Sequence, residues 1–173
     1  MVVIPINDED TDLVARLFGE HQAAIFAYVW RLVGDRQWAE DLTQETFLRV
    51  FDARDRLAEV ANPRAWLYRI ATNTSFNALR RRRRFAWLPW NPFSAPAFHE
   101  PDALEQIGRR SAVEAALAAL PAKYRAPLLL YAHYGFTVSE AAEALAINEG
   151  AVKTRLYRAR EMFRQAYERE NRP

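Results

Sequence analysis

TVSEAAEALAINEGAVKTRLYRAREMFRQ, residues 137 to 165, is the stretch whose reading decides the fold. Thr137 and Glu140 have capping-box spacing: the hydroxyl can accept from a backbone N–H three residues on, and the carboxylate can reach back. A helix therefore starts at Thr137. Val138, Ala141, Ala142 and Leu145 recur at helical spacing, and Ala146-Ile147-Asn148 forms a short turn with Asn148 placed to cap a second helix. On that second helix Val152, Leu156, Ala159 and Phe163 fall on one stripe, leaving Lys153, Thr154, Tyr157 and Arg158 facing away. The pattern reads as a helix-turn-helix whose second helix is basic outside its apolar stripe, which makes duplex DNA the first partner to test. An ordinary αα-hairpin in a helical bundle has the same apolar pattern. Many helix-turn-helix units carry Gly where Ala146 stands here.

Outward from this unit, the pattern stays helical. One segment spans about Thr11 to Leu32, with Leu13, Leu17, Ala24, Ile25, Tyr28 and Val29 at spacings of three and four, and Gly34-Asp35 breaks it. A second runs from about Trp38 to Ala53. A third begins near Asn62-Pro63, where Asn can cap and Pro suits the first turn, and continues through Trp66, Leu67, Ile70 and Ala71 into the run Arg80 to Arg84. Beyond the run, FAWLPWNPFSAPAFHEP carries Pro89, Pro92, Pro96 and Pro101, which exclude a long helix, so residues 85–102 read as a linker. Its two tryptophans and three phenylalanines are unusual for a solvated linker: they either pack back on the N-terminal domain or dock on a partner. After Asp102, Leu104, Ile107, Ala112, Val113 and Leu117 restore helical periodicity up to Leu120-Pro121. Tyr124 to Tyr134 then ends at Gly135, a natural C-cap. No strand pattern occurs. The expected class is all-α: two small helical domains, 1–84 and 103–173, the second a four-helix unit that ends in the helix-turn-helix.

Composition bounds the function. The 173 residues are 50% hydrophobic and 13% aromatic, enough to build cores in one medium domain or two small ones. The chain has no cysteine, so disulfides, thiolate metal sites and thiol nucleophiles are excluded, in keeping with the cytoplasm. No apolar run is long enough to span a bilayer, and MVVIPINDEDTD lacks the build of a signal peptide, so neither membrane insertion nor export is expected. His21, His99 and His133 are far apart without metal-ligand spacing, and no Gly-rich phosphate loop is present; no catalytic residue, metal or cofactor is expected. The net charge is only +2, but it is concentrated at Arg80 to Arg84 and in the stretch after Asn148, giving two places to neutralise phosphates.

Two further segments carry candidate interfaces. In AEDLTQETFLRVF, Ala39, Leu42, Thr46 and Val50 form the inner stripe, so Asp41, Gln44, Glu45 and Leu48 face outward with Phe47 and Phe51 flanking. That suits a protein interface, or else a solvated helix face with the two phenylalanines buried. In NPRAWLYRIATNTSFNALRRRRR, polar Asn73, Thr74 and Asn77 lie beside Trp66, Tyr68 and Phe76. Amides can bond base edges, rings can stack on unpaired bases and arginines can clamp phosphates; Trp66 reads as core.

Taken in order, these two segments, the Pro-rich linker and residues 116–160 resemble the extracytoplasmic-function sigma factors, small two-domain members of the sigma-70 family of bacterial RNA polymerase sigma factors. The likeness runs from about Leu17 to Phe163. It implies that Asp41, Gln44, Glu45, Phe47 and Leu48 meet the coiled coil of the largest polymerase subunit. It implies that Asn73 and Asn77, with the loop from Asp52 to Pro63, hold a base extruded at the −10 element, beside Arg80, Arg81, Arg82, Arg83 and Arg84. Lys153, Thr154, Tyr157 and Arg158 would read the −35 element. The same likeness implies promoter DNA, core RNA polymerase (including its flap region) and an anti-sigma factor as partners, and no cofactor. The residues by themselves also suit a stand-alone helix-turn-helix regulator, and less well a nucleic-acid-processing enzyme.

Overall fold

The computed structural model describes residues 8–85 and 112–170. All regular structure among them is helical. Helix α1 (Asp8–Val33) ends at Gly34, which takes a left-handed φ of +79°. Helix α2 (Arg36–Asp52) is capped by Asp35, whose carboxylate accepts from the Trp38 N–H at 2.9 Å. A 3₁₀ segment, Arg54–Glu59, fills part of the expected loop and drops Leu57 into the core. Helix α3 (Pro63–Phe85) starts as its sequence predicts: Asn62 accepts from the Ala65 N–H at 3.0 Å and Pro63 occupies the first turn.

The second half comprises α4 (Ala112–Ala119), α5 (Ala122–Leu128), α6 (Val138–Leu145) and α7 (Glu149–Glu170). The expected helix from Tyr124 to Tyr134 is not uniform. Pro127 lies inside α5, and residues Leu129–His133 form a π turn before Gly135 reverses the chain with φ +68°. A proline withholds one N–H from the ladder and crowds the preceding turn, and the wider bonds Tyr134 N–H to Leu129 C=O and Phe136 N–H to Leu130 C=O follow it. The aromatic linker 85–102, and Leu104 and Ile107 beyond it, lie outside the described residues apart from the backbone of Phe85 at the end of α3.

The two halves share one buried cluster, which runs from Val14 to Leu156. Helices α1, α2 and α3 pack mutually, α7 lies across α4, α5 and α6, and α6 rests on α3. Where they meet, Tyr68 of α3 is 5.3 Å from Tyr134 and 5.0 Å from Phe136, centroid to centroid, and Tyr28 of α1 lies 5.7 Å from Tyr134. Tyr28 also shares a 2.8 Å hydrogen bond with Thr72, and burial pushes its phenol pKa well up. Arg64 donates to the Tyr134 carbonyl and lies over the Phe136 ring at 4.2 Å.

Arg125 completes the contact. Its Nη1 donates to the carbonyls of Arg31 (2.7 Å) and Leu32 (3.3 Å) at the end of α1, while Nη2 and Nε reach Ala118 and Leu120. The end of a helix presents unpaired carbonyls with partial negative charge, so a buried guanidinium finds both acceptors and field there without a carboxylate. Burial pushes its pKa down to about 10, which leaves it charged at neutrality.

Candidate functional site

Three exposed faces bear the expected residues. On α7 the helix-turn-helix forms as read: the Thr137–Glu140 capping box is closed in both directions, and Asn148 accepts from the Ala151 N–H at 2.7 Å. Glu140, receiving the Thr137 N–H, is held below the usual carboxylate range. Val152, Leu156 and Ala159 are buried and Phe163 half-buried, so Lys153, Thr154, Tyr157 and Arg158 form an exposed face, with Tyr157 70% exposed. The Thr154 hydroxyl donates back to Gly150 C=O at 2.9 Å, which leaves its methyl and lone pairs for a partner. Arg158 Nη1 donates to the Tyr124 hydroxyl at 3.3 Å. Tyr124 was invisible to sequence reasoning because it lies on another helix, 34 residues away.

On α3, Asn73 and Asn77 are exposed one turn apart. Their neighbours point the other way. Thr72 and Ser75 are buried and bond back to Tyr68 C=O and Ala71 C=O at 2.7 and 2.8 Å, and the buried Thr74 hydroxyl has no hydrogen-bond partner among the described residues. Small hydroxyl residues on that side let α3 approach its neighbours closely. The expectation that Trp66, Tyr68 and Phe76 offer rings to bases needs correction for Tyr68, which joins Trp66 in the core; Phe76 alone of the three is partly exposed. The arginine run also divides. Arg80 donates to Asn77 Oδ1 at 2.8 Å, Arg82 lies half-buried with its guanidinium 5.1 Å from the Trp38 ring centroid, and Arg81, Arg83 and Arg84 are exposed. Five consecutive residues on a helix sweep its whole circumference, so they cannot all face one backbone.

On α2 the inner stripe Ala39, Leu42, Thr46 and Val50 is buried. Asp41 and Gln44 are exposed, Leu48 is 65% exposed, and the half-buried Glu45 accepts from Arg49 Nη2 at 2.8 Å. Phe47, which the resemblance places among the polymerase contacts, is instead buried, as the alternative reading of this helix had it: it is only 7% exposed and meets Phe18 edge-on with centroids 4.9 Å apart, whereas Phe51 stays exposed. The exposed apolar surface here is instead Phe18, Leu48 and Phe51. Phe18, whose partner lies on a different helix, carried no signal in the sequence.

These faces hold amides, cations and an acidic-apolar strip, groups suited to recognition. Comparison with known proteins then gives the family. The family model for Sigma-70 region 2 matches residues 17–85, and that for Sigma-70, region 4 matches residues 110–163. The ECF RNA polymerase sigma factor SigL of Mycobacterium tuberculosis is 35% identical over 150 residues, covering 85% of this chain and 84% of the relative. SigW of Bacillus subtilis, another ECF sigma factor, is 28% identical over 171 residues, covering 92% and 91%. In structure, the sigma factor RpoE of Bartonella quintana, solved in complex with the anti-sigma factor NepR, superposes with a TM-score of 0.71 at 24% identity, covering 89% of this chain and 96% of that one.

The chain belongs to the extracytoplasmic-function sigma factors of the sigma-70 family. It is a non-enzymatic subunit that directs core RNA polymerase in transcription initiation. The readings as a stand-alone regulator or a nucleic-acid-processing enzyme are set aside. Among the described residues no helix is long and apolar enough to cross a membrane.

Proposed function

We propose that the three faces divide the work of a promoter-specific initiation factor in the cytoplasm. Residues 1–84 form the unit that binds polymerase and the −10 element, 85–102 the linker, and 103–173 the unit that binds the −35 element. Asp41, Gln44, Glu45 and Leu48 dock on the coiled coil of the largest polymerase subunit, with Phe47 underpinning them through Phe18. The flap region receives the second unit. Asn73 and Asn77 hold a base extruded from the −10 element, flanked by phosphate contacts from the exposed arginines of the Arg80–Arg84 run. Lys153, Thr154, Tyr157 and Arg158 read the −35 element in the major groove.

The observation that carries this reading is the exposure, on one chain, of an amide pair on α3 and a separate basic face on α7. Unpairing and unstacking a base costs a few kcal/mol, so a pocket that binds the flipped base biases opening without any bond chemistry. ATP hydrolysis is not required. An anti-sigma factor, of the kind bound to the Bartonella relative, holds this factor in check.

Multi-round transcription on a library of promoter fragments, using bacterial core polymerase with and without this protein, tests the assignment. Protein-dependent transcripts are expected to share two sequence elements with fixed spacing, and their start sites to become single-stranded without a hydrolysable energy source for opening. Transcripts sharing only one element would overturn the division of labour.

A further inference from the structure

Beside the exposed face of α7 the surface opens into a cleft of about 290 Å³ lined by Lys123, Tyr124, Ala151, Thr154, Arg155 and Arg158. Two of these residues come from the first turn of α5, outside the helix-turn-helix proper. Lys123, Arg155 and Arg158 bring three cations together. Among the described residues none of them forms an ion pair with a carboxylate, and no carboxylate lines the cleft. Tyr124 stands between two of the cations: its ring lies 4.8 Å from Lys123 Nζ and its hydroxyl accepts from Arg158 Nη1.

Like charges repel, and the surface gains nothing from gathering them unless an anion arrives. The occupant is fixed by what adjoins the cleft. Thr154 and Arg158 belong both to its wall and to the face assigned to the −35 bases, so the anion within reach is the DNA backbone itself. A phenol that accepts one hydrogen bond still has its own proton to donate, which a phosphate oxygen can take. Arg158, tethered at one nitrogen, is restrained in direction, and a pre-oriented guanidinium loses less entropy when it meets a base edge.

We infer that −35 recognition extends to α5: Lys123 and Arg155 hold a backbone phosphate in this cleft, and the Tyr124 hydroxyl is a positioning group that aims Arg158 at its base. The inference rests on the assignment of α7 to the −35 element. It also accounts for a cleft built from two helices whose contact across it, Tyr124 to Arg158, joins residues 34 apart in sequence. The Arg158 contact, the largest influence on Tyr124, lowers that phenol's pKa against the opposing effect of its partial burial and makes it a better donor.

The test uses holoenzyme assembled from core polymerase and the full chain, binding promoter fragments in which single phosphates flanking the −35 element are replaced by neutral methylphosphonates. Wild type is expected to lose affinity at one such position and Lys123→Ala to lose clearly less there, Arg155 keeping the remainder. Lys123→Ala should also weaken binding to all promoter sequences alike and lower the log-log salt slope by about one. Tyr124→Phe keeps the ring under Lys123 and should relax preference at a single −35 base pair by about five-fold or more, with the salt slope unchanged. Equal sensitivity of wild type and Lys123→Ala at every methylphosphonate overturns the phosphate site, and an unchanged base preference in Tyr124→Phe overturns the positioning role. Arg158→Ala is the separate control: if it leaves −35 preference intact, the assignment of α7 itself has failed.

Discussion

Asn73 and Arg158 carry the two sharpest residue-level expectations. Asn73 is exposed amid buried threonines and serine, so Asn73→Ala removes an amide without opening the core; promoter melting should fall for one −10 base and not for its neighbours, read by permanganate reactivity on a base-substitution series. Arg158→Ala should weaken binding to the −35 element by about 1 to 3 kcal/mol, measured by competition between consensus and substituted promoters. Ala146 offers a stability test independent of function. With φ at 51° it occupies the left-handed region, and its Cβ opposes that conformation. Ala146→Gly should raise stability by about 0.5 to 1 kcal/mol, the relieved strain exceeding the added freedom of the unfolded chain, and urea denaturation would show it. A midpoint that moves down would mean the turn tolerates alanine without strain.

At the scale of elements, what was legible in the sequence is what is decided locally. Asn62, Thr137 with Glu140, and Asn148 each cap a helix through an atom three residues away, so the starts of α3, α6 and α7 could be read from short windows; Asp35 caps α2 in the same way, but reads in the sequence only as a break, with the helix expected from Trp38. The inner stripe of α2 was equally plain. Phe47 and Leu48 were not separable, because which of two adjacent apolar residues is buried depends on Phe18 arriving from α1. The π turn after α5 also escaped, although Pro127 was its signal: periodicity alone cannot tell a widened turn from a regular one. The division of the arginine run likewise needed Trp38 in place. For α6 the capping box gives a checkable pH effect. Thr137→Ala should cost about 1 kcal/mol at neutral pH. Glu140 has a lowered pKa, so its contribution is present above the ordinary carboxylate value and is lost as pH falls through the lowered one. The stability gap between wild type and Glu140→Ala should therefore narrow in acid; a gap that stays constant with pH would exclude the cap as its source.

For the molecule as a whole, the packing of α6 on α3 sets a limit of size. A folded body of roughly 140 residues is about 35 to 40 Å across. Two turns of duplex cover about 70 Å, and positions −10 and −35, about 25 base pairs apart by their labels at about 3.4 Å each, lie further apart than that. On the proposed division of labour, the contacts made by Arg64, Tyr134 and Arg125 are therefore expected to part when both elements are engaged. The absence of cysteine makes this directly measurable. Dyes attached through Gln22→Cys and Gln165→Cys, both exposed positions on α1 and α7, should report a longer distance in the promoter-bound holoenzyme than in the free factor. An unchanged distance would show that one factor does not span both elements. None of this long-range packing was legible in the sequence, since the residues that meet are 70 to 110 apart and share no periodicity.

Arg125 gives that separation a particular character. Its links to Ala118 and Leu120 stay within its own half, whereas those to Arg31 and Leu32 reach across to main-chain oxygens that any water molecule can satisfy equally well. Hydration thus competes directly with the closed arrangement, and the aromatic surfaces of Tyr68, Tyr134 and Phe136 push in the opposite direction. The balance between the two shapes is then a matter of water activity: excluded osmolytes shift the factor toward the compact shape, and urea, below the concentrations that unfold either half, shifts it toward the extended one.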